Sequence, residues 1–256
     1  MSAIVEFRGA GYSVPRAQGS ADILRALTFS VESGETLVLL GRSGSGKTTA
    51  LKMVNRLLTP TSGEVLVEGR PTAAWDPIRL RRRIGYVIQE TGLFPHFTVA
   101  ENIGLVPRLE GWSLERIEAR VGELLEQIGL PAHEFAGRYP RELSGGQRQR
   151  VGVARALAAD PPVLLFDEPF GALDPVTRLE LQKQFLDLRN ALRKTAIFVT
   201  HDIREALMLG TRIGLMNNGG LELVAAPREF QRATSSEARA FLAGLDWRIE
   251  DDGSSQ

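Results

Sequence analysis

The chain has 256 residues, enough for one large domain or two modest ones with a substantial core. Lysine plus arginine and aspartate plus glutamate both number 31, so a nucleic-acid partner, which needs a basic surface, is not indicated. Cysteine is absent, the first residues lack a signal-peptide core, and no segment approaches the roughly 20 apolar residues of a membrane span. Work at a membrane would therefore depend on a partner that carries the chain there.

Short segments rich in β-branched and aromatic residues open the chain and predict strands over residues 4–7, 27–31 and 35–40. Residues 11–14 follow the first of these strands and bring Tyr12 near the start of the fold. Taken alone, Tyr12 is interpreted as a half-buried packing residue, although its ring could also stack on a purine.

A glycine-rich loop of the pattern G-x-x-x-x-G-K-T joins the third strand to a helix predicted over residues 50–58. Its glycines let successive N–H groups point into one concavity, and the helix adds its positive N-terminal end. Lys47 can reach the β- and γ-phosphates of a nucleotide, and the Thr48 hydroxyl can ligate the accompanying Mg²⁺. The loop therefore predicts nucleoside triphosphate binding rather than a simple turn. Its residues are Gly41, Arg42, Ser43, Gly44, Ser45, Gly46, Lys47, Thr48 and Thr49.

The middle of the chain changes from strand to helix spacing. A strand over residues 63–69 precedes Asp76 and Pro77, which are typical of a helix start, and the arginines that follow suit the end of that helix. An apolar strand over residues 84–88 ends at Gln89. Residues 94–158, with helices at 114–128 and 147–158, are predicted to form a helical insertion.

Strand signals return in the last third. Strands over residues 163–166 and 196–199 flank a helix over residues 175–192, and this order predicts right-handed crossovers in a mainly parallel sheet. Residues 213–216 and 221–224 predict a closing hairpin, and the polar residues 246–256 predict a frayed tail.

Two adjacent acids, Asp167 and Glu168, follow the strand at 163–166, at the edge where parallel sheets place their ligands. Asp167 is suited to hold Mg²⁺ directly or through water, and Glu168 to orient and deprotonate the attacking water. Two acids could merely open a loop, but the phosphate loop in the same chain favours the catalytic interpretation.

A second candidate anion site precedes the helix predicted from residue 147. It consists of a serine hydroxyl, two glycine N–H groups and a helix N-terminus, in the residues Ser144, Gly145, Gly146 and Gln147. These residues resemble the signature sequence of the ABC transporter ATPases, and the resemblance runs from about residue 4 to about residue 245.

The remaining motifs of that family match in order. The resemblance implies that Gln89 links the magnesium site to a transmembrane partner and that His201 contacts the γ-phosphate. It places Asp174 as the loop aspartate after the acid pair and Tyr12 as the adenine-stacking aromatic. An isolated histidine after a strand is as often structural as catalytic, so the role of His201 depends on the resemblance.

The resemblance implies an α/β fold: a RecA-like P-loop NTPase core with a mainly parallel sheet, an N-terminal antiparallel β subdomain and a helical signature subdomain. The ATPase domain would cover residues 1–245, with the core at about 1–92 and 160–230 and the helical part at about 93–159. It further implies a head-to-tail pair of subunits, expected to be a homodimer. ATP would lie between Lys47 of one and Ser144, Gly146 and Gln147 of the other, so a monomer is expected to hydrolyse ATP poorly.

Residues 84–103, their continuation into Val106 and Pro107, and residues 51–57 resemble the ATPases of importers for glycine betaine, choline and related quaternary amines. This segment would meet transmembrane permease subunits at the cytoplasmic face of the inner membrane. A periplasmic or extracellular solute-binding protein would select the solute through aromatic rings around its cationic group. Longer members carry a pair of regulatory domains after the ATPase, and no such regulation is expected after Leu245.

Other classes remain as alternatives. An importer for amino acids or another small solute would share many of these motifs, including residues 92–96. A non-transport ABC ATPase acting on ribosomes or DNA would normally show two cassettes or a long coiled coil, and neither is visible. A regulatory module without catalysis should lack Glu168, Gln89 or His201. His96 and His133 show no metal-ligand spacing and are interpreted as surface or packing residues.

Overall fold

The computed structural model describes residues 3–16, 19–89, 92–171, 173–192 and 194–245. The predicted tail at residues 246–256 lies outside them, as do Glu90 and Thr91 of the segment compared with the osmoprotectant importers. The strands are β1 Ala3–Arg16, β2 Gly19–Glu32, β3 Thr36–Leu40, β4 Ser62–Val67, β5 Arg70–Pro71, β6 Ile84–Val87, β7 Val163–Asp167, β8 Thr195–Thr200, β9 Arg212–Asn217 and β10 Gly220–Ala225. The helices are α1 Lys47–Val54, α2 Pro77–Arg82, α3 Val99–Leu109, α4 Leu114–Gln127, α5 Ala132–Phe135, α6 Gly145–Leu157, α7 Pro175–Leu192, α8 Ile203–Leu209, α9 Pro227–Phe230 and α10 Ser236–Ala243.

The central sheet has six strands in the order β10-β9-β3-β8-β7-β6. The pairings β9–β3, β3–β8, β8–β7 and β7–β6 are parallel, and the β9–β10 hairpin adds an antiparallel edge. Every residue of β3, β7 and β8 is buried, as expected for parallel strands that are covered on both faces. The predicted mainly parallel sheet and closing hairpin are confirmed.

The sheet separates two hydrophobic cores because successive side chains of a strand point to opposite faces. On one side, Leu164, Phe166 and Phe198 pack with residues of the helices between β6 and β7. On the other side, Leu165 and Val199 pack with α1 and with the second sheet. The order of strands and the two covered faces confirm the α/β fold class.

The second sheet is antiparallel, in the order β2-β1-β4-β5. Its first two strands are longer than predicted, since β1 continues through Tyr12, which was expected to follow the strand. The register of β1 against β2 shifts between Phe7 and Ala10, and it shifts a second time between Ala10 and Tyr12. Glycines in this segment therefore mark bulges within a strand, where the sequence pattern indicated its end.

The helices between β6 and β7 lie in the predicted insertion, and α4 matches its predicted bounds within one residue. Helix α6 begins at Gly145, earlier than predicted, because Ser144 caps it. Helix α1 begins at Lys47 and ends at Val54, short of the predicted 58, because Arg56 has a left-handed backbone with φ of 53°. The division of residues 1–245 into core and helical parts stays a prediction.

A short connection joins α6 to the central sheet. Helix α6 ends at Leu157 and β7 begins at Val163. Within the connection, Asp160 has a φ of 52° and forms an ion pair with Lys194 at 2.8 Å.

Among the described residues, no helix is both long and apolar enough to cross a bilayer.

Candidate functional site

The candidate site lies at the carboxyl ends of four neighbouring parallel strands, where ligands bind in open α/β sheets. The glycine-rich loop follows β3, and His201 follows β8. Asp167 ends β7 with Glu168 directly after it, and Gln89 comes two residues after β6. The adjacency of these strands brings together groups that are far apart in the sequence.

The loop is packed so tightly that glycine is required at defined positions. At Gly46, φ is 97°, and an added Cβ would lie 2.4 Å from Cδ2 of Leu24. At Gly41, an added Cβ would lie 2.4 Å from the carbonyl oxygen of Met216. These distances are shorter than van der Waals contacts, so any larger residue would move the loop away from β2 or β9.

Lys47 is buried at the first position of α1, with only 4% of its surface exposed. Its Nζ donates to the carbonyl oxygens of Gly41 at 2.8 Å and Arg42 at 2.9 Å. Burial lowers the pKa of Lys47, and the charges of Glu168 and Asp167 oppose that effect. The ammonium group is thus fixed inside the loop by backbone acceptors and faces two acids.

An open pocket of about 470 Å³ lies in front of the loop, within the size range of small-ligand sites. Besides Ile23 of β2, it is lined by predicted site residues, which are Ser43, Gly44, Gly46, Lys47, Thr48, Thr49, Gln89 and Glu168. Ser45 is buried and is not among the residues that line this pocket. Arg42 points elsewhere, since its Nε donates to Oε1 of Glu237 in α10 at 2.6 Å.

Asp167 is held by two hydroxyl groups. Oγ1 of Thr48 donates to Oδ1 at 2.7 Å, and the phenol of Tyr86 donates to Oδ2 at 3.1 Å. Burial and then the charge of Asp167 raise the pKa of Tyr86 above its ordinary value, so the phenol stays a neutral donor. Tyr86 was not among the predicted site residues, because nothing local in β6 indicates which residue of β7 its hydroxyl reaches.

Glu168 and His201 form a pair at the pocket wall. Nδ1 of His201 lies 3.0 Å from Oε2 of Glu168. Glu168 has a φ of 46°, uncommon for a residue other than glycine, and its N–H donates to the carbonyl oxygen of Val199 at 3.0 Å. Such backbone strain is concentrated at functional sites, and here it aims the carboxylate toward the histidine.

The side chains present fit a magnesium ion that arrives with a nucleotide. No cluster of three or more His, Cys, Asp or Glu suited to a metal occurs in the part of the chain that the structure describes. Thr48 and Asp167 instead offer one hydroxyl and one carboxylate 2.7 Å apart. Magnesium is commonly bound by one or two carboxylates together with substrate phosphates and water, so this donor set is suited to it.

The signature residues lie at a different place in the fold. Ser144 and Gln147 form a capping box at the start of α6, in which Ser144 Oγ accepts from the N–H of Gln147 at 3.2 Å and Gln147 Oε1 accepts from the N–H of Ser144 at 2.8 Å. Within the described ranges, neither these two nor Gly145 and Gly146 line the pocket of Lys47. Gly145 lines a separate cleft together with Gln89.

Tyr12 and Asp174 also lie apart from the loop. Tyr12 is half-buried on β1 opposite Leu24, next in register to the pocket residue Ile23. Asp174 caps α7 by accepting from the N–H groups of Val176 at 3.2 Å and Thr177 at 3.0 Å. Hydrogen bonds from Thr177, first its side chain and then its backbone, lower the pKa of Asp174.

A glycine-rich loop between a parallel strand and a helix, with an acid at the end of a neighbouring strand, defines an α/β protein of the P-loop class. Residues 24–171 match the family model described as ABC transporter, which is more than half of the chain. The chain therefore belongs to the ABC transporter family.

Two of the relatives are named for the uptake of osmoprotectants. The osmoprotectant import ATP-binding protein OsmV of Salmonella typhimurium is 51% identical over 220 residues, which cover 86% of this chain and 58% of the relative. The glycine betaine uptake system ATP-binding protein YehX of Escherichia coli is 50% identical over 206 residues, covering 80% and 67%. The chain thus spans less than two thirds of the length of several of these relatives.

Solved structures show the same fold. A dimeric ATP-binding cassette in a post-hydrolysis state, bound to ADP and Pi, superimposes with a TM-score of 0.78 at 34% identity. The superposition covers 88% of this chain and 99% of the other.

Proposed function

We propose that this chain is the ATP-hydrolysing subunit of an ABC importer that takes up quaternary-amine osmoprotectants of the glycine betaine and choline type. The observation that carries the proposal is the identity of 46–51% to ATP-binding proteins named for the import of such solutes. The gathering of Lys47, Thr48, Asp167 and Glu168 at one edge of the sheet supplies the chemistry for ATP hydrolysis.

The residues of the site would divide the work. The glycine-rich loop and Lys47 bind the phosphates, and Thr48 and Asp167, with Gln89, hold the magnesium ion that neutralises their charge when bound. Glu168 accepts a proton from the attacking water, and His201, 3.0 Å away, keeps the Glu168 carboxylate oriented and reaches the γ-phosphate.

Two copies would be needed for turnover. The helix α6 N-terminus, with Ser144, Gly145, Gly146 and Gln147, is an anion site that lies outside the pocket of its own chain. In a head-to-tail pair, it would close over the nucleotide held by the second copy. Asp174 would lie at the margin of that site, and Tyr12 of the second copy would stack on the adenine. The dimeric cassette that shares this fold supports such a pair.

A second surface would meet the membrane subunits. A cleft of about 310 Å³ between β6 and α3 is lined by Tyr86, Phe94, Val106 and Arg155, among others. Phe94 is 41% exposed, and it lies in the segment that resembles the osmoprotectant importers. We place the permease contact here, which would put the chain at the cytoplasmic face of the inner membrane beside a permease served by a solute-binding protein.

The proposal is tested by purifying this chain from gently solubilised membranes and identifying the membrane and solute-binding proteins that come with it. The binding protein is then assayed for glycine betaine and choline. Binding of a quaternary amine supports the proposal. Binding of an amino acid or an anion would show that the substrate is wrong while leaving the ATPase in place, and an absence of membrane partners would contradict a transport role.

A further inference from the structure

The carboxylate of Asp167 is fixed on both of its oxygen atoms. Thr48 donates to Oδ1 from α1, and Tyr86 donates to Oδ2 from β6. Asp167 is only 8% exposed, so little water competes with either hydroxyl. Thr48 is accounted for by the phosphate-loop motif. Tyr86 lies in the segment compared with the importers and lines the proposed permease cleft, but the proposed function gives it no part in nucleotide or magnesium binding.

The sheet itself delivers Tyr86 to this position. Strand β6 pairs in parallel with β7, and Tyr86 lies opposite Leu165. Leu165 and Asp167 are two residues apart and therefore share one face of the sheet, the face covered by α1. The ring of Tyr86 packs against the core on that face, and its hydroxyl reaches the end of the neighbouring strand.

Two donors on one carboxylate have a directional consequence. A carboxylate accepts at about four lone-pair positions, and each donor that occupies one restricts rotation of the group. With Thr48 on one oxygen and Tyr86 on the other, the plane of the Asp167 carboxylate is fixed before any ligand binds. Ligands of metal sites are commonly oriented by such outer hydrogen bonds, and losing one typically costs 10–100-fold in metal affinity.

We propose that Tyr86 is a positioning residue that holds the Asp167 carboxylate in the orientation needed for magnesium at the bound nucleotide. The proposal rests on the proposed function, because it takes Asp167 as the carboxylate that receives the ion. Tyr86 itself does not contact the nucleotide in this assignment, and its effect is confined to the metal-dependent part of binding.

The test is the magnesium dependence of nucleotide binding, measured with a fluorescent ATP analogue on the purified full chain. For Tyr86→Phe, we expect the magnesium concentration that gives half of the magnesium-dependent binding to rise by about tenfold. This is the lower end of the range for losing an outer hydrogen bond to a metal ligand. Binding of the analogue in EDTA should not change. Tyr139→Phe is the matched control, because Tyr139 is 37% exposed and lies beside Arg141 on the surface.

A double-mutant cycle separates orientation from general damage to the fold. In the Asp167→Ala background, which has no side-chain acceptor for the Tyr86 hydroxyl, adding Tyr86→Phe should shift the magnesium dependence by less than twofold. Tyr86→Met, which also cannot donate, repeats the test with a side chain of another shape in case the phenylalanine variant is unstable.

The outcomes are distinct. An unchanged magnesium dependence in both Tyr86 variants would overturn the inference and leave the proposed function intact. Equal weakening with magnesium and in EDTA would also overturn it, by showing that Tyr86 only supports the fold. A wild-type chain whose nucleotide binding ignores magnesium would instead count against the proposed function.

Discussion

Replacing Glu168 by glutamine tests the proposed chemistry most directly. In the wild-type chain, Oε2 of Glu168 lies 3.0 Å from Nδ1 of His201. Glutamine has the same length and keeps one oxygen that can face His201, but it cannot accept a proton from water. General-base catalysis contributes typically 10²–10⁴-fold, so we expect kcat for ATP to fall by about that factor. This range corresponds to about 3–5 kcal/mol of lost transition-state stabilisation.

ATP binding should survive the same change. Glu168 lines the pocket beside Lys47, and its negative charge raises the pKa of the lysine while repelling a triphosphate. Removing that charge should therefore leave the affinity for ATP unchanged or higher. The expected signature is a large loss of kcat without a loss of binding.

The assay is phosphate release at saturating ATP and magnesium, with binding of a fluorescent ATP analogue measured on the same preparation. Glu123→Gln is the matched control, since the Glu123 side chain is 52% exposed on α4 and lies outside the pocket. Hydrolysis by Glu168→Gln within tenfold of wild type would refute the assignment of Glu168. A parallel loss of binding would refute the electrostatic argument.

Three further predictions concern the loop and the core. Lys47→Ala should weaken nucleotide binding in the same fluorescence assay, and an affinity equal to that of the wild type would contradict the phosphate cradle. Gly46→Ala places a Cβ 2.4 Å from Cδ2 of Leu24 on a residue whose φ is 97°. It should lower the free energy of unfolding, measured by urea titration, by about 1–3 kcal/mol, and an unchanged urea midpoint would contradict this. Burial raises the pKa of Glu205 above the ordinary value of 4.5, although a hydrogen bond from Thr200 opposes this effect. The folded state therefore binds the proton of Glu205 more tightly than the unfolded state does, and the free energy of unfolding falls as pH rises above 4.5. Glu205→Gln should therefore be more stable than wild type at pH 7, with the difference disappearing below 4.5; a difference independent of pH would contradict the reasoning.

Much of the central sheet was predictable because its strands are short, apolar and bounded by clear signals. The phosphate loop and the acids at residues 167 and 168 could be placed at one edge by the rule for parallel sheets alone. The capping residue Asp76 likewise follows from local chemistry and caps α2 in the structure, whereas Ser144 was predicted only as part of an anion site and its capping of α6 was not predicted.

What could not be predicted depends on pairing between distant segments. The bond from Tyr86 to Asp167 requires the register of β6 against β7, and no local pattern fixes that register. The contact of His201 with Glu168 similarly depends on β8 and β7 being neighbours. The continuation of β1 through Tyr12 was missed because glycine is compatible with both a bulge and a strand end.

The short connection between α6 and β7 sets how far the signature residues would travel if the helix turned about it. Strand β7 is buried between β6 and β8 and cannot easily shift, whereas α6 extends for 13 residues from the connection at Asp160, about 20 Å. A turn of about 10° at the connection would carry Ser144, at the far end, through about 3 Å. That travel is about the length of one hydrogen bond, so under the proposed function a turn of this size would separate contact between the serine hydroxyl and an anion from loss of that contact.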